Sequence, residues 1–171
     1  RLFLQLNDRQ KSNSKWAIVN RDCPWHIKIL KGCTASSITY GLTQESDLYA
    51  TDLRFTGTHT ECKISFQKKP PFHISFPLLG KYNLYNVLGA IACLLAKGFA
   101  LEQLGPLLQS ITPPKGRLEP VYNKKGLSIF VDFAHTGDGL QQVLFTLREI
   151  CRGRLIVVFG CGGDRDKNRR S

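Results

Sequence analysis

The chain contains no methionine, only two tryptophans and little acid: 13 aspartates and glutamates stand against 24 lysines and arginines, a formal charge of +11. A surface so short of carboxylates attracts anions. These could be nucleic acid, an acidic membrane surface or phosphorylated small molecules, and charge alone does not choose among them. No apolar run approaches the roughly 18 residues that a membrane helix requires, and residues 1–6 lack the layout of a secretory signal. A cytoplasmic protein with no membrane partner is therefore expected. The six cysteines (Cys23, Cys33, Cys62, Cys93, Cys151 and Cys161) never form a C-x-x-C pair. Neither a zinc site nor a disulfide scaffold is indicated, and reduced thiols are expected. His26, His59 and His73 have no partner at metal-ligand spacing. A Walker phosphate loop and a G-x-G-x-x-G dinucleotide fingerprint are also missing. With no initial methionine, and a last residue, Ser171, soon after a Gly-rich loop, the sequence reads as part of a longer chain.

What is present is an ordinary apolar fraction, 42% of 171 residues, enough for a globular core. Residues 15–19, 37–40, 46–55, 62–66 and 72–76 are rich in β-branched and aromatic side chains, several alternating with polar ones, and predict short strands. The period then changes. Leu84, Val87, Leu88, Ile91, Leu94 and Leu95 recur at helical spacing, with Asn83 as the expected N-cap and Gly98 as the expected C-cap. A second helix is predicted over 101–110. Thr112-Pro-Pro-Lys-Gly116 then reads as a linker, which puts a domain boundary between residues 115 and 116. Beyond it, a strand over 127–132, a helix over 138–151 with Leu140, Val143, Leu144, Leu147 and Ile150 on one face, and an apolar strand over 155–159 predict a parallel βαβ unit. The fold class is α/β. Parallel strands share a carboxyl rim where ligands bind, so residues 132–138 and 160–167 are expected to face one crevice.

Each candidate in that crevice has two readings. Gly160-Cys-Gly-Gly163 suits close approach of backbone amides to a phosphate, or is simply a turn. Asp132 suits a ribose hydroxyl, or else Asp132 or Thr136 merely caps the next helix. His135 suits a general base, a phosphate donor or a structural role. Asn86, inside a helix that it does not favour, offers a donor and an acceptor to an adenine edge. Arg117 suits a phosphate, or is a solvated surface group. The basic stretch 165–170 lacks interleaved aromatics and any recognised nucleic-acid module, so a phosphorylated metabolite is favoured and no nucleic-acid partner is expected.

Four stretches occur together in a telling order: Leu78-Leu-Gly-Lys-Tyr-Asn-Leu-Tyr-Asn-Val-Leu-Gly-Ala90, Gly116-Arg-Leu-Glu119, Val131-Asp-Phe-Ala-His-Thr-Gly-Asp138 and Phe159-Gly-Cys-Gly-Gly-Asp-Arg-Asp-Lys167. This order and spacing resemble the Mur ligase family, and the last stretch is similar to the members that add the third peptide residue. The resemblance implies that residues 1–115 are the later part of a central ATPase domain and 116–171 the start of a Rossmann-like C-terminal domain. It implies an ATP-dependent amide ligase of peptidoglycan synthesis, with UDP-MurNAc-dipeptide and meso-diaminopimelate as small-molecule substrates and ATP and Mg2+ as cofactors. It further places Asn86 at the adenine with Asn83 supporting the helix start, Arg117 near the phosphates, Asp132 near the ribose and His135 on the same loop. Arg165 would meet the incoming amino acid's carboxylate, with Lys167 supporting its loop. The phosphate loop and the carbamylated lysine that holds magnesium are expected upstream of Arg1, which would leave this chain inactive by itself. Gly137 and Asn168 stand where the family pattern has proline and glycine. A lysine-adding member, a folylpolyglutamate synthase-like ligase and a non-catalytic nucleotide-binding module remain alternatives.

Overall fold

In the computed structural model, residues 2–7 and 15–160 are described. Strand formation follows the predicted alternation. β1 (Trp16–Asn20) buries Ala17 and Val19. A short helix α1 (His26–Leu30), which the strand-like pattern did not predict, buries none of its residues. β2 (Ser36–Gly41), β3 (Leu48–Thr56), β4 (His59–Phe66) and β5 (Phe72–Phe76) complete a five-stranded sheet ordered β1-β2-β3-β4-β5. β1, β2 and β3 run parallel, and β3-β4 and β4-β5 are antiparallel. The β3-β4 register shifts between Thr51 and Arg54, where Asp52 adopts φ 53°. This bulge changes the parity of β3, so that Leu53 and Phe55 point inward as Leu48 and Ala50 do.

α2 (Lys81–Ala96) lies across β1, β2 and β3, and α3 (Leu101–Gln109) packs on β5. The stripe Leu84, Val87, Leu88, Ile91 and Ala92 of α2 is buried against Ile38, Leu48, Ile64 and Phe76. Leu84, Leu88 and Ile91 are fully enclosed, each stabilising the fold by about 1.5–3 kcal/mol. α2 ends in a Schellman turn as expected. Gly98 (φ 91°) donates to Leu95 O at 2.9 Å, and Phe99 N to Leu94 O at 3.1 Å.

The C-terminal part departs from expectation. β6 (Glu119–Val121) and β7 (Ile129–Val131) form an antiparallel hairpin, its loop built around Asn123, whose Oδ1 accepts from Lys125 N and Leu127 N. α4 (Gly137–Ile150) follows, with Val143 buried and Leu140, Leu144, Leu147 and Ile150 half-buried, as the periodicity predicted. Residues 155–159, expected as a parallel strand, are not a strand, and Val158 is 95% exposed. A strand is held by ladder bonds to neighbours. Among the described residues none pairs with 155–159, and β7 pairs only with β6. The α/β class stands, but the parallel βαβ pairing does not form among these residues.

A second cluster joins this part to the sheet: Leu79, Leu118 and Val143 are buried, with Phe55, Tyr82, Phe130, Ala134, Leu147 and Ile150 packed against them.

Candidate functional site

The stretch Lys81-Tyr-Asn-Leu-Tyr-Asn86 repeats a Tyr-Asn pair at three-residue spacing, and the helix turns the two pairs to different uses. α2 begins three residues earlier than expected, with Gly80 as its N-cap (φ 97°, ψ 149°). Asn83 is therefore not a cap. It sits inside the first turn, buried, and its Nδ2 donates to Leu79 O at 2.7 Å. This bond satisfies a carbonyl where the chain enters the helix. Replacing Asn83 by alanine orphans that carbonyl and should cost roughly 1–3 kcal/mol, read from the midpoint of chemical unfolding. Asn86, one turn on, is exposed and makes no side-chain hydrogen bond among the described residues.

The tyrosines were not among the predicted residues. The Tyr85 hydroxyl donates to Asp22 Oδ2 at 2.8 Å, and the same oxygen accepts from Leu42 N at 2.7 Å. Asp22 thus ties α2 to the carboxyl ends of β1 and β2. Burial, followed by that bond to the carboxylate, raises the Tyr85 phenol above its ordinary pKa. Tyr82 points to the C-terminal part, its ring packed in the second cluster. The only sequence signal for either was the doubled Tyr-Asn pair.

Gly116-Arg-Leu-Glu119 forms a tight turn. Glu119 Oε2 accepts from Gly116 N at 2.8 Å, Arg117 N donates to Pro114 O at 3.2 Å, and Leu118 adopts φ 46°. Asp132 locks this turn in place. Its Oδ2 accepts from Leu118 N at 2.8 Å and its Oδ1 from Ala134 N at 2.7 Å, while Phe133 N donates to Gly116 O at 2.8 Å. Of the two capping readings, the structure selects Thr136 alone: its Oγ1 accepts from Gly139 N at 3.1 Å. Asp132 instead holds the linker against the strand end, leaving the Arg117 side chain exposed.

Burial first and the Asp132 carboxylate second hold the Tyr82 phenol above its usual range, with Arg117 pulling the other way. Tyr82, Asn83 and Asp132 therefore lie together where α2 starts and the two parts join, within range of the Arg117 charge. His135 is exposed on the next loop, with Nδ1 3.0 Å from Phe133 O and its ring centroid 5.4 Å from that of Phe133. Arg165 and Lys167 lie outside the described residues, as does most of the Gly-rich loop. An open groove lined by Lys81, Gln142, Phe145, Thr146, Arg148 and Glu149 contains none of the predicted residues. Among the described residues, no three His, Cys, Asp or Glu side chains come together as metal ligands. Burial pushes the Cys62 thiol up to about 12, which removes it as a nucleophile. No helix of the described residues is long and apolar enough to cross a membrane.

Comparison with known proteins assigns these elements. The Mur ligase middle domain matches residues 1–94, and the Mur ligase glutamate ligase domain matches residues 116–171. The UDP-N-acetylmuramoyl-L-alanyl-D-glutamate--2,6-diaminopimelate ligase 1 of Clostridium acetobutylicum is 41% identical over 160 residues, which cover 92% of this chain and 33% of that protein. The ligase of the same name from Chlamydia felis is 42% identical over 172 residues, 99% of this chain and 34% of that protein. A solved structure of a ligase so named is 33% identical, with a TM-score of 0.64 over 91% of this chain and 33% of that one. A crystal structure of MurF from Acinetobacter baumannii superposes with a TM-score of 0.72 over 82% of this chain and 31% of that one; at 19% identity the likeness is one of fold. The chain spans about a third of the length of the curated relatives it matches.

Proposed function

From the premise that the chain belongs to the Mur ligase family, we propose that the protein containing it is an ATP-dependent amide ligase adding meso-diaminopimelate to UDP-MurNAc-L-Ala-D-Glu, in the cytoplasm, for peptidoglycan synthesis. The observation that carries this reading is identity of 41–42% over at least 92% of the chain with ligases bearing that name. In the proposed reaction the γ-phosphoryl group of ATP passes to the D-glutamate carboxylate. The amine of diaminopimelate attacks the resulting acyl phosphate, and a tetrahedral intermediate collapses to the amide with release of phosphate and a proton.

The residues divide the work by what their surroundings leave free. Asn86 is exposed, and its amide suits an adenine, which needs a donor and an acceptor together. Arg117 is exposed on a turn held at both ends, and its planar fork suits phosphate oxygens. Asp132 spends one lone pair of each oxygen on backbone amides and retains others for a ribose hydroxyl. His135 borders the same loop. Asn83 supports the helix start from within. Arg165 and Lys167 are assigned to the amino-acid carboxylate on family resemblance. Among the described residues no three His, Cys, Asp or Glu side chains come together, and the family resemblance assigns the magnesium ligands and the phosphate loop to residues upstream of Arg1. The boundary is put at residues 115 and 116, supported by the Pro-Pro linker and the positive φ of Gly116.

The test is phosphate release by the full-length protein supplied with ATP, magnesium and the UDP-muramoyl dipeptide. Release should depend on meso-diaminopimelate. Release with L-lysine alone would change the substrate and keep the chemistry, and no release with either amino acid would defeat the reading. The 171-residue chain by itself should release none.

A further inference from the structure

Asp22 has no part in the reaction as proposed, yet its carboxylate joins three elements. One oxygen, Oδ2, accepts from Leu42 N at 2.7 Å and from the Tyr85 hydroxyl at 2.8 Å, while Asp22 N donates to Asn20 Oδ1 at 2.9 Å. A single acceptor thus links the turn after β1, the turn after β2 and the second turn of α2. Gly41, the last residue of β2, makes room for it: a Cβ there would lie 2.8 and 2.9 Å from the two carboxylate oxygens of Asp22. One turn beyond Tyr85, a Cβ on Gly89 would lie 3.4 Å from the Tyr40 hydroxyl of β2. The flank of α2 that bears Tyr85 is therefore fitted closely to the ends of β1 and β2. The apolar stripe of α2 holds the helix onto the sheet, but apolar burial is non-directional. A hydrogen bond on the flank is directional and resists rotation of the helix about its axis. Such rotation matters at the next residue, Asn86, which is exposed and lies about 100° round the helix from Tyr85.

We propose that Asp22 and Tyr85 are positioning residues for adenine recognition, fixing the rotation of α2 so that the Asn86 amide meets the base in register. The inference rests on the ATP reading above, and in it the two residues act through Asn86 without touching the nucleotide. An amide that gives one bond and takes another needs good distance and angle at both, so a small turn of the helix weakens the pair together. The Tyr85–Asp22 bond is already made without ligand. Its contribution is preorganisation, since an arrangement set beforehand need not be ordered on binding. Phenylalanine at position 85 would keep the ring and remove only the hydroxyl.

The experiment uses the full-length protein with Tyr85→Phe and Asn86→Ala, singly and together, and reads initial rates with ATP varied at saturating dipeptide and amino acid. Tyr85→Phe should raise the KM for ATP by roughly 3- to 10-fold, the range of one net hydrogen bond. It should leave kcat within about twofold, since the adenine contact is made equally in the ground state and the transition state. The KM for the amino acid should not move. In the Asn86→Ala background the same change should shift the KM for ATP by less than about twofold, because no amide remains for Tyr85 to position. Asp22→Ala removes the acceptor in place of the donor and should give the same pattern. A KM for ATP that Tyr85→Phe leaves unchanged would overturn the proposal. So would an equal rise in both backgrounds, which is what a purely structural bond gives. If Asn86→Ala alone leaves the KM for ATP unchanged, the assignment of Asn86 to the adenine fails first and this proposal with it.

Discussion

Replacing Asp132 by alanine in the full-length protein is expected to raise the KM for ATP at least about 10-fold, the cost of losing one or two hydrogen bonds to a charged acceptor. The reason lies in how its carboxylate is shared. One oxygen holds Leu118 N and the other Ala134 N, so the side chain pins the turn carrying Arg117 to the end of β7. Alanine leaves both amides without their acceptor and frees Leu118 from its left-handed backbone (φ 46°), a conformation that a γ-branched residue does not choose unaided. The turn that carries Arg117 then loses its fixed place, and the proposed ribose contact goes with it. Asparagine keeps one acceptor oxygen and should fall between. Initial rates with ATP varied at saturating amino acid, and the reverse, separate the effects. Arg165→Ala should chiefly raise the KM for the amino acid. Equal losses for both substrates in each variant would contradict this division.

Gly80→Ala should destabilise the fold strongly, by about 3–5 kcal/mol. At φ 97° and ψ 149° the N-cap of α2 occupies a region that side chains scarcely enter. A Cβ there would also lie 2.9 Å from Thr146 Oγ1, 2.9 Å from Tyr82 Cε1 and 3.2 Å from Thr146 Cγ2. Thr146 is buried and its hydroxyl is bonded to Gln142 O, so it cannot easily give way. The methyl would push apart α2 and α4 where the second cluster closes. Urea unfolding of the full-length protein measures the cost. A loss under about 1 kcal/mol would mean that the entry to α2 tolerates another backbone path. By contrast, the Lys81–Glu149 ion pair nearby spans 3.8 Å between half-exposed side chains and should contribute little.

Much of the fold was legible because its signals are local. The apolar stripe of α2, the Gly98 stop and the alternation in β4 and β5 each arise within a few residues, and all three appear as predicted. The asparagine at position 83 misled for an equally physical reason. Its side chain is a good cap, but Gly80 offers the chain a turn that asparagine cannot, so the helix starts earlier and Asn83 is carried inside. The strand expected at 155–159 had the right composition, but a strand also needs a neighbour, and composition does not supply one.

The sequence by itself determined the α/β class, most of the helices and strands, and the four motifs that identify the family. Those are matters of residue type and spacing along the chain. Only the tertiary structure decided that Asp132 clamps the linker while Thr136 caps α4, that Asp22 reaches Tyr85 across 63 positions, and that Tyr82 packs its ring into the cluster joining the two parts. Each of those depends on which carboxylates and donors meet after distant segments pack, and side chains of equal propensity take different roles according to the backbone groups left unsatisfied beside them.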